Sequence, residues 1–205
     1  HELGAAHLLH LSGHEGTDGF ASMIASHQGV APEPLPEAPP ALPAGGLAAL
    51  AATPRVMRVR RFIEGLGTGR PIVLVLDDVH ASMDGLALAW ALTADPSTLP
   101  VLLVLTARAE GLAAAPAEAQ ALAALVAQAE VLRLELAPLL PAEEQELLRA
   151  GMGLSPPLAH RLAQVTLGNP SMMVETLNEL IARGGLRPDA TGFDAPPAVP
   201  LDLPE

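Results

Sequence analysis

The chain has 205 residues, half of them hydrophobic, with a formal net charge of −12 at neutral pH. That balance argues against a nucleic-acid surface and against an anionic membrane surface, since both need clustered positive charge. There is no Cys, which excludes disulfides, thiolate metal sites and cysteine nucleophiles, and all 11 basic residues are Arg, which excludes lysine chemistry of any kind.

In chain order, residues 7–11 (HLLHL) run into Ser12-Gly13, which predicts a strand ending in a turn. A short helix is expected over 20–27. The Pro-rich stretch 30–46 reads as a surface loop. Residues 47–64 read as a helix interrupted near Pro54, with Arg55, Arg58, Arg60 and Arg61 clustered in its second half. Residues 71–76 (PIVLVL) form a continuous apolar run stopped by Asp77-Asp78, as expected for a strand buried on both faces. A helix follows over 85–94, with Asp84 expected as its N-cap. Residues 100–105 (PVLLVL) repeat the buried-strand pattern and end in Thr106-Ala107-Arg108. A helix over 117–130 leads to a shorter alternating strand over 131–136 (VLRLEL). Strands and helices alternating at this spacing predict a parallel α/β sheet with right-handed crossovers.

Beyond Pro138 the pattern turns helical. Helices are expected over 142–150, over 156–167 with Ser155 as N-cap and Gly168 as stop, and over 171–183 with Pro170 near the first turn. Met173, Leu177, Leu180 and Ile181 share one face of the last. The tail from Arg187 is rich in Pro and Asp, with little to pack. No apolar run approaches the length of about eighteen residues that a membrane helix needs. The start, His-Glu-Leu-Gly, has neither an initiator Met nor a basic signal-peptide start, so both ends read as cuts in a longer protein and the cytoplasm is the expected location.

The strongest chemical signal is Asp77-Asp78. Two carboxylates at the carboxyl end of a buried parallel strand sit where open α/β sheets bind ligands. One can hold Mg²⁺ while the other orients or deprotonates a water. The dipeptide alone also fits a solvated strand end that caps the next turn, the commoner use of acids there. Arg108, just past the next strand, reaches the same sheet edge and could meet a γ-phosphate with its planar fork. Alone it equally fits a surface Arg paired with Glu110. Gly168-Asn169-Pro170 is an ordinary helix stop and start that could also press a proline ring against a flat base.

Three other patterns carry less. Gly65-Leu66-Gly67-Thr68-Gly69 precedes a strand instead of following one, so it reads as a turn and not as a phosphate loop. His10 and His14 have i,i+4 spacing but straddle the Ser12-Gly13 turn, which disfavours a zinc helix. Ser12, Ser22 and Ser26 lie in no G-x-S-x-G context, so a serine hydrolase is unsupported.

The order of these pieces resembles the STAND class of AAA+-related ATPases, in particular the bacterial regulators in which such a module joins kinase, cyclase or transcription-factor domains. Residues 70–80 (RPIVLVLDDVH), followed by Asp84, look like that family's Walker B strand, and residues 101–108 (VLLVLTAR) look like its sensor strand. Leu158–Leu162, then Gly168-Asn169-Pro170, Glu175 and residues 180–186 resemble its lid helices. The likeness covers residues 70–186 well and 1–69 loosely. It implies that Asp77 handles Mg²⁺, Asp78 activates or positions water, Arg108 senses the γ-phosphate, and Pro170, with Gly168 and Asn169, lines an adenine pocket. The aromatic usual after the histidine is Ala81 here. The Walker A loop is absent and, without lysine, cannot be hidden elsewhere in the chain.

The resulting expectation is a parallel, three-layer sheet of P-loop NTPase type over residues 1–137, incomplete because the P-loop strand is missing. A helical lid subdomain over 138–186 and a Pro/Asp-rich tail over 187–205 follow it. The implied function is an ATP- and Mg²⁺-dependent signalling switch in a larger bacterial regulator, with attached signalling domains and a nucleotide-dependent oligomer as partners. The alternative is a non-catalytic protein–protein interaction scaffold that keeps an NTPase-like shape. The missing central strand should leave sheet edges and core open, so the isolated chain is expected to fold poorly and to bind ATP weakly or not at all.

Overall fold

Three short apolar strands form a parallel sheet: β1 (His7–Ser12), β2 (Ile72–Asp77) and β3 (Val101–Leu105), in the order β1-β2-β3. The computed structural model describes residues 6–14, 19–29, 33–37, 43–67, 70–94, 99–128, 130–190, 192–196 and 201. It divides the chain into two compact units, His1–Leu132 and Arg133–Glu205, and the sheet belongs to the first. Among the described residues no helix is long and apolar enough to cross a membrane. The predicted loop over 30–46 falls partly outside the described residues; 33–37 carry no regular structure.

Between β1 and β2 lie α1 (Gly19–Gln28), α2 (Gly46–Ala51) and α3 (Pro54–Leu66). A 3-10 turn (Val79–Ala81) and α4 (Met83–Thr93) connect β2 to β3, and α5 (Ala109–Ala114) and α6 (Pro116–Gln128) follow. One face of the sheet, carrying Leu9, Leu11, Ile72, Leu74 and Leu76, is buried in a single core with Phe20, Val56, Val59, Ile63, Leu86 and Leu88. The whole unit is therefore a mixed α/β fold.

The two central runs read as strands covered on both faces, and the structure covers only one. On the other face Leu8, Val73 and Leu102 form one register row, and His10, Val75 and Val104 the next. Leu8, Leu102 and Val104 are exposed, Leu102 at 61%. The cause is topological. Strands laid down in the order 1-2-3 with crossovers of one hand put every connecting helix on the same side. Covering the second face requires the strand order to reverse. The expected three-layer arrangement is thus two layers among the described residues.

Residues 131–136 are not the predicted strand. They belong to neither sheet, and Leu132, Leu134 and Leu136 are exposed, Leu136 at 97%. Alternation marks a segment that can pair, but a strand exists only where a neighbour supplies a hydrogen-bond ladder. Another difference concerns Asp84. The residue that caps α4 is Ser82, whose Oγ accepts the Gly85 N–H at 3.0 Å. Asp84 sits in the first turn and receives Arg55 Nε at 2.6 Å, because a buried guanidinium is a stronger partner than a backbone N–H.

The second unit contains α7 (Pro141–Glu146), continuing into a π turn (Leu147–Gly151), then α8 (Pro156–Thr166) and α9 (Pro170–Ala182). Leu148, Leu154, Leu158, Leu162, Met173 and Leu180 form its core. Ile181, placed on the apolar face by periodicity, is exposed. Ser155 caps α8 as its position predicts, accepting the Leu158 N–H at 3.3 Å. The tail does pack: β4 (Arg187–Asp189) and β5 (Gly192–Asp194) form an antiparallel hairpin. Ser155 donates its N–H to the Phe193 carbonyl and its hydroxyl to Asp194, and Ala195 is buried.

Candidate functional site at the carboxyl edge of the sheet

Register decides which side chains meet. Ser12 pairs with Asp77, so the residues just past β1 and β2 emerge side by side. β3 ends level with Leu76, which brings Thr106 and Arg108 to the same edge. Thr106 is tied to β2 and to the turn that follows it, donating its N–H to the Leu76 carbonyl and accepting the Val79 N–H on its own carbonyl. Its hydroxyl accepts the Asp78 N–H at 3.0 Å and donates to the Asp77 carboxylate in a short hydrogen bond. One hydroxyl therefore orients the Asp77 carboxylate and anchors the Asp78 backbone.

The two carboxylates have different surroundings. Asp77 is 45% exposed, and its second oxygen lies 4.0 Å from His10 Nε2. Asp78 adopts a left-handed backbone (φ 53°, ψ 45°), which turns its side chain along the edge and out of the strand direction. Its Oδ2 lies 3.0 Å from His14 Nε2, and its Oδ1 lies 3.5 Å from Arg108 Nε and 3.7 Å from His80 Nδ1. Gly13 makes the approach possible, because a Cβ there would collide with the Asp78 carbonyl oxygen.

His80 is buried, and its ring fills the space above Gly111, where any Cβ would overlap it. Arg108 Nη2 reaches both imidazoles, at 3.2 Å from His80 Nε2 and 3.4 Å from His14 Nε2. The pairing with Glu110 that the sequence allowed is replaced by this contact with Asp78 and two histidines. The structure brings Asp77, Asp78 and Arg108 together. It adds His14, His80, Thr106 and His10, whose roles the sequence left unassigned. Their signal was positional: each lies within three residues of a strand end on one sheet edge.

Gly168, Asn169 and Pro170 lie in the second unit. Asn169 caps α9, its Oδ1 accepting the Ser171 and Met172 N–H groups. Gly168 takes φ 81° and donates its N–H to the buried Glu144 carboxylate. Pro170 begins the helix with its ring exposed.

No family model matches the chain, and no curated protein or solved structure matches it either. Fold and site together define a mixed α/β protein with an acid-, histidine- and arginine-lined edge on a parallel sheet.

Proposed function

We propose that this chain is the acid-bearing and lid-bearing part of an ATP-dependent signalling switch, belonging to a larger bacterial regulator of the STAND type. The observation that carries the reading is the meeting of Asp77, Asp78 and Arg108 at the carboxyl edge of a parallel sheet, where such sheets bind ligands. The half-exposed Asp77 carboxylate, oriented by Thr106, fits a Mg²⁺ ligand. Asp78 is placed to orient or deprotonate a water, and Arg108 to meet phosphate charge after leaving its present partners. The exposed ring of Pro170 is the part of the Gly-Asn-Pro turn that would meet a base.

The phosphate cradle must come from residues outside these 205, which contain no lysine. Among the described residues β3 pairs with β2 alone and one sheet face is exposed, which supports a sheet that is completed by further strands. Bound Mg²⁺ would neutralise phosphate charge; the work of this chain's own residues is to hold and report that charge. Attached signalling domains, nucleotide-dependent oligomerisation and a cytoplasmic location belong to the same proposal.

A non-catalytic scaffold is the second reading, favoured by the same bare apolar face, which is a ready contact surface. The deciding experiment is Mg²⁺-dependent ATP binding by the longer protein that includes residues preceding His1, with Asp77→Asn beside it. Binding that loses its Mg²⁺ dependence in Asp77→Asn supports the switch. If the longer protein never binds nucleotide, the scaffold reading replaces it.

A further inference from the structure

We propose that His14, Asp78 and His80 form a binding site for a borderline divalent cation of the Zn²⁺ type, and that the Arg108 guanidinium competes for the same place. The three side chains offer one ligand atom each, all within 4.8 Å of one another. Two imidazoles and one carboxylate suit Zn²⁺, Co²⁺ or Ni²⁺ and do not suit Mg²⁺, which prefers an all-oxygen shell. Three protein ligands also leave a fourth position open, the pattern of a zinc site that takes water or substrate.

The geometry around Arg108 strengthens the case. Its Nη2 lies within 3.4 Å of one nitrogen on each histidine, and its Nε lies 3.5 Å from the Asp78 carboxylate. A single positive group thus sits among all three ligands, where a cation would be held. The fit of the guanidinium is imperfect. His80 faces Arg108 donors from both sides, the backbone N–H at Nδ1 (3.4 Å) and the guanidinium at Nε2 (3.2 Å). A neutral imidazole accepts at one nitrogen only, so one of these contacts sets two donors against each other. The guanidinium is therefore not held firmly at His80. Arg108 can leave at small cost, because its side chain is 62% exposed.

The remaining parts are fixed in advance. His80 is buried against Gly111, Asp78 is held by its backbone hydrogen bond to Thr106, and Gly13 brings the β1 end down onto Asp78. Only His14 and Arg108 need to move, and both are exposed. The site needs no nucleotide, so it stands or falls separately from the ATPase reading.

The test is titration of the 205-residue chain with Co²⁺, followed by its visible absorption, and with Zn²⁺ in competition. One equivalent of Co²⁺ should give bands of a low-coordinate site that Zn²⁺ abolishes and excess Mg²⁺ does not. His14→Ala, at an exposed position, should remove the bands without changing the far-ultraviolet circular dichroism. His160→Ala, in the second unit, should leave them intact. Arg108→Met should tighten binding by about tenfold, because a competing charge is gone. The proposal is overturned by absence of the bands, by their survival in His14→Ala, by displacement with Mg²⁺, or by weaker binding in Arg108→Met.

Discussion

Gly13 packs against the carbonyl of Asp78 with no room for a side chain between them. The contact joins the end of β1 to the left-handed residue that follows β2, and it sets the distance from His14 to the acidic pair. Gly13→Ala forces these backbones apart, and overpacking of this kind costs about 1–3 kcal/mol. The expected result is a lower melting temperature together with loss of the His14–Asp78 contact, read as a changed His14 imidazole chemical shift by NMR. A variant with unchanged stability and an unchanged His14 signal would show that the two strand ends do not touch.

The buried Arg55 and the partly buried Asp84 form an ion pair at 2.6 Å, and the Arg55 guanidinium also donates to the Pro36 carbonyl and stacks near the Phe20 ring. Removing Asp84 takes a 2.6 Å carboxylate contact away from a buried guanidinium. Asp84→Ala is therefore expected to destabilise the chain by about 3–5 kcal/mol, well beyond the loss of a helix cap. Chemical denaturation measures it. A loss of about 1 kcal/mol or less would return Asp84 to a capping role.

How much of this was legible in the sequence depends on whether the determinant was local. The strands at 72–77 and 101–105 announce themselves as apolar runs stopped by polar residues, and Ser155 and Gly168 punctuate α8 by chemistry that acts within one turn. Asp84 lies beside a real capping residue, and only the tertiary partner Arg55 shows which of Ser82 and Asp84 does the capping. The segment 131–136 has the alternation of a strand and no ladder to join. His14 is the instructive miss. Read along the chain, it belongs to a turn with a useless i,i+4 partner; read across the sheet, the Ser12–Asp77 register sets it beside Asp78. Aligning the ends of the predicted parallel strands would have exposed the cluster, since parallel neighbours deliver their following residues to one edge.

Asn169 offers a check on the Gly-Asn-Pro turn. Its side chain closes two otherwise unpaired N–H groups at the start of α9, at 3.0 and 3.4 Å. Asn169→Ala should cost about 1 kcal/mol, as loss of an N-cap does, and Asn169→Asp should restore nearly all of it. Differential scanning calorimetry distinguishes the two. If alanine is neutral, the turn is held by Gly168 and Glu144 alone, and Asn169 is free for another task.

The bare sheet face makes the sharpest prediction about the fold. Leu102 stands on that face at 61% exposure, and Leu74, one strand away, points to the opposite side and is fully buried. Leu102→Glu should change stability by no more than about 0.5 kcal/mol, since it removes little buried area. Leu74→Ala should cost about 2–5 kcal/mol through lost burial and the cavity left behind. The same Leu102→Glu change should reduce self-association in sedimentation velocity, because it breaks an apolar patch shared with Leu8 and Val104. A Leu102→Glu variant as unstable as Leu74→Ala would mean that the face is covered in solution and that the one-sided sheet is wrong. Stability retained with self-association lowered would establish the face as open and sticky, the condition that both the incomplete-sheet reading and the scaffold reading require.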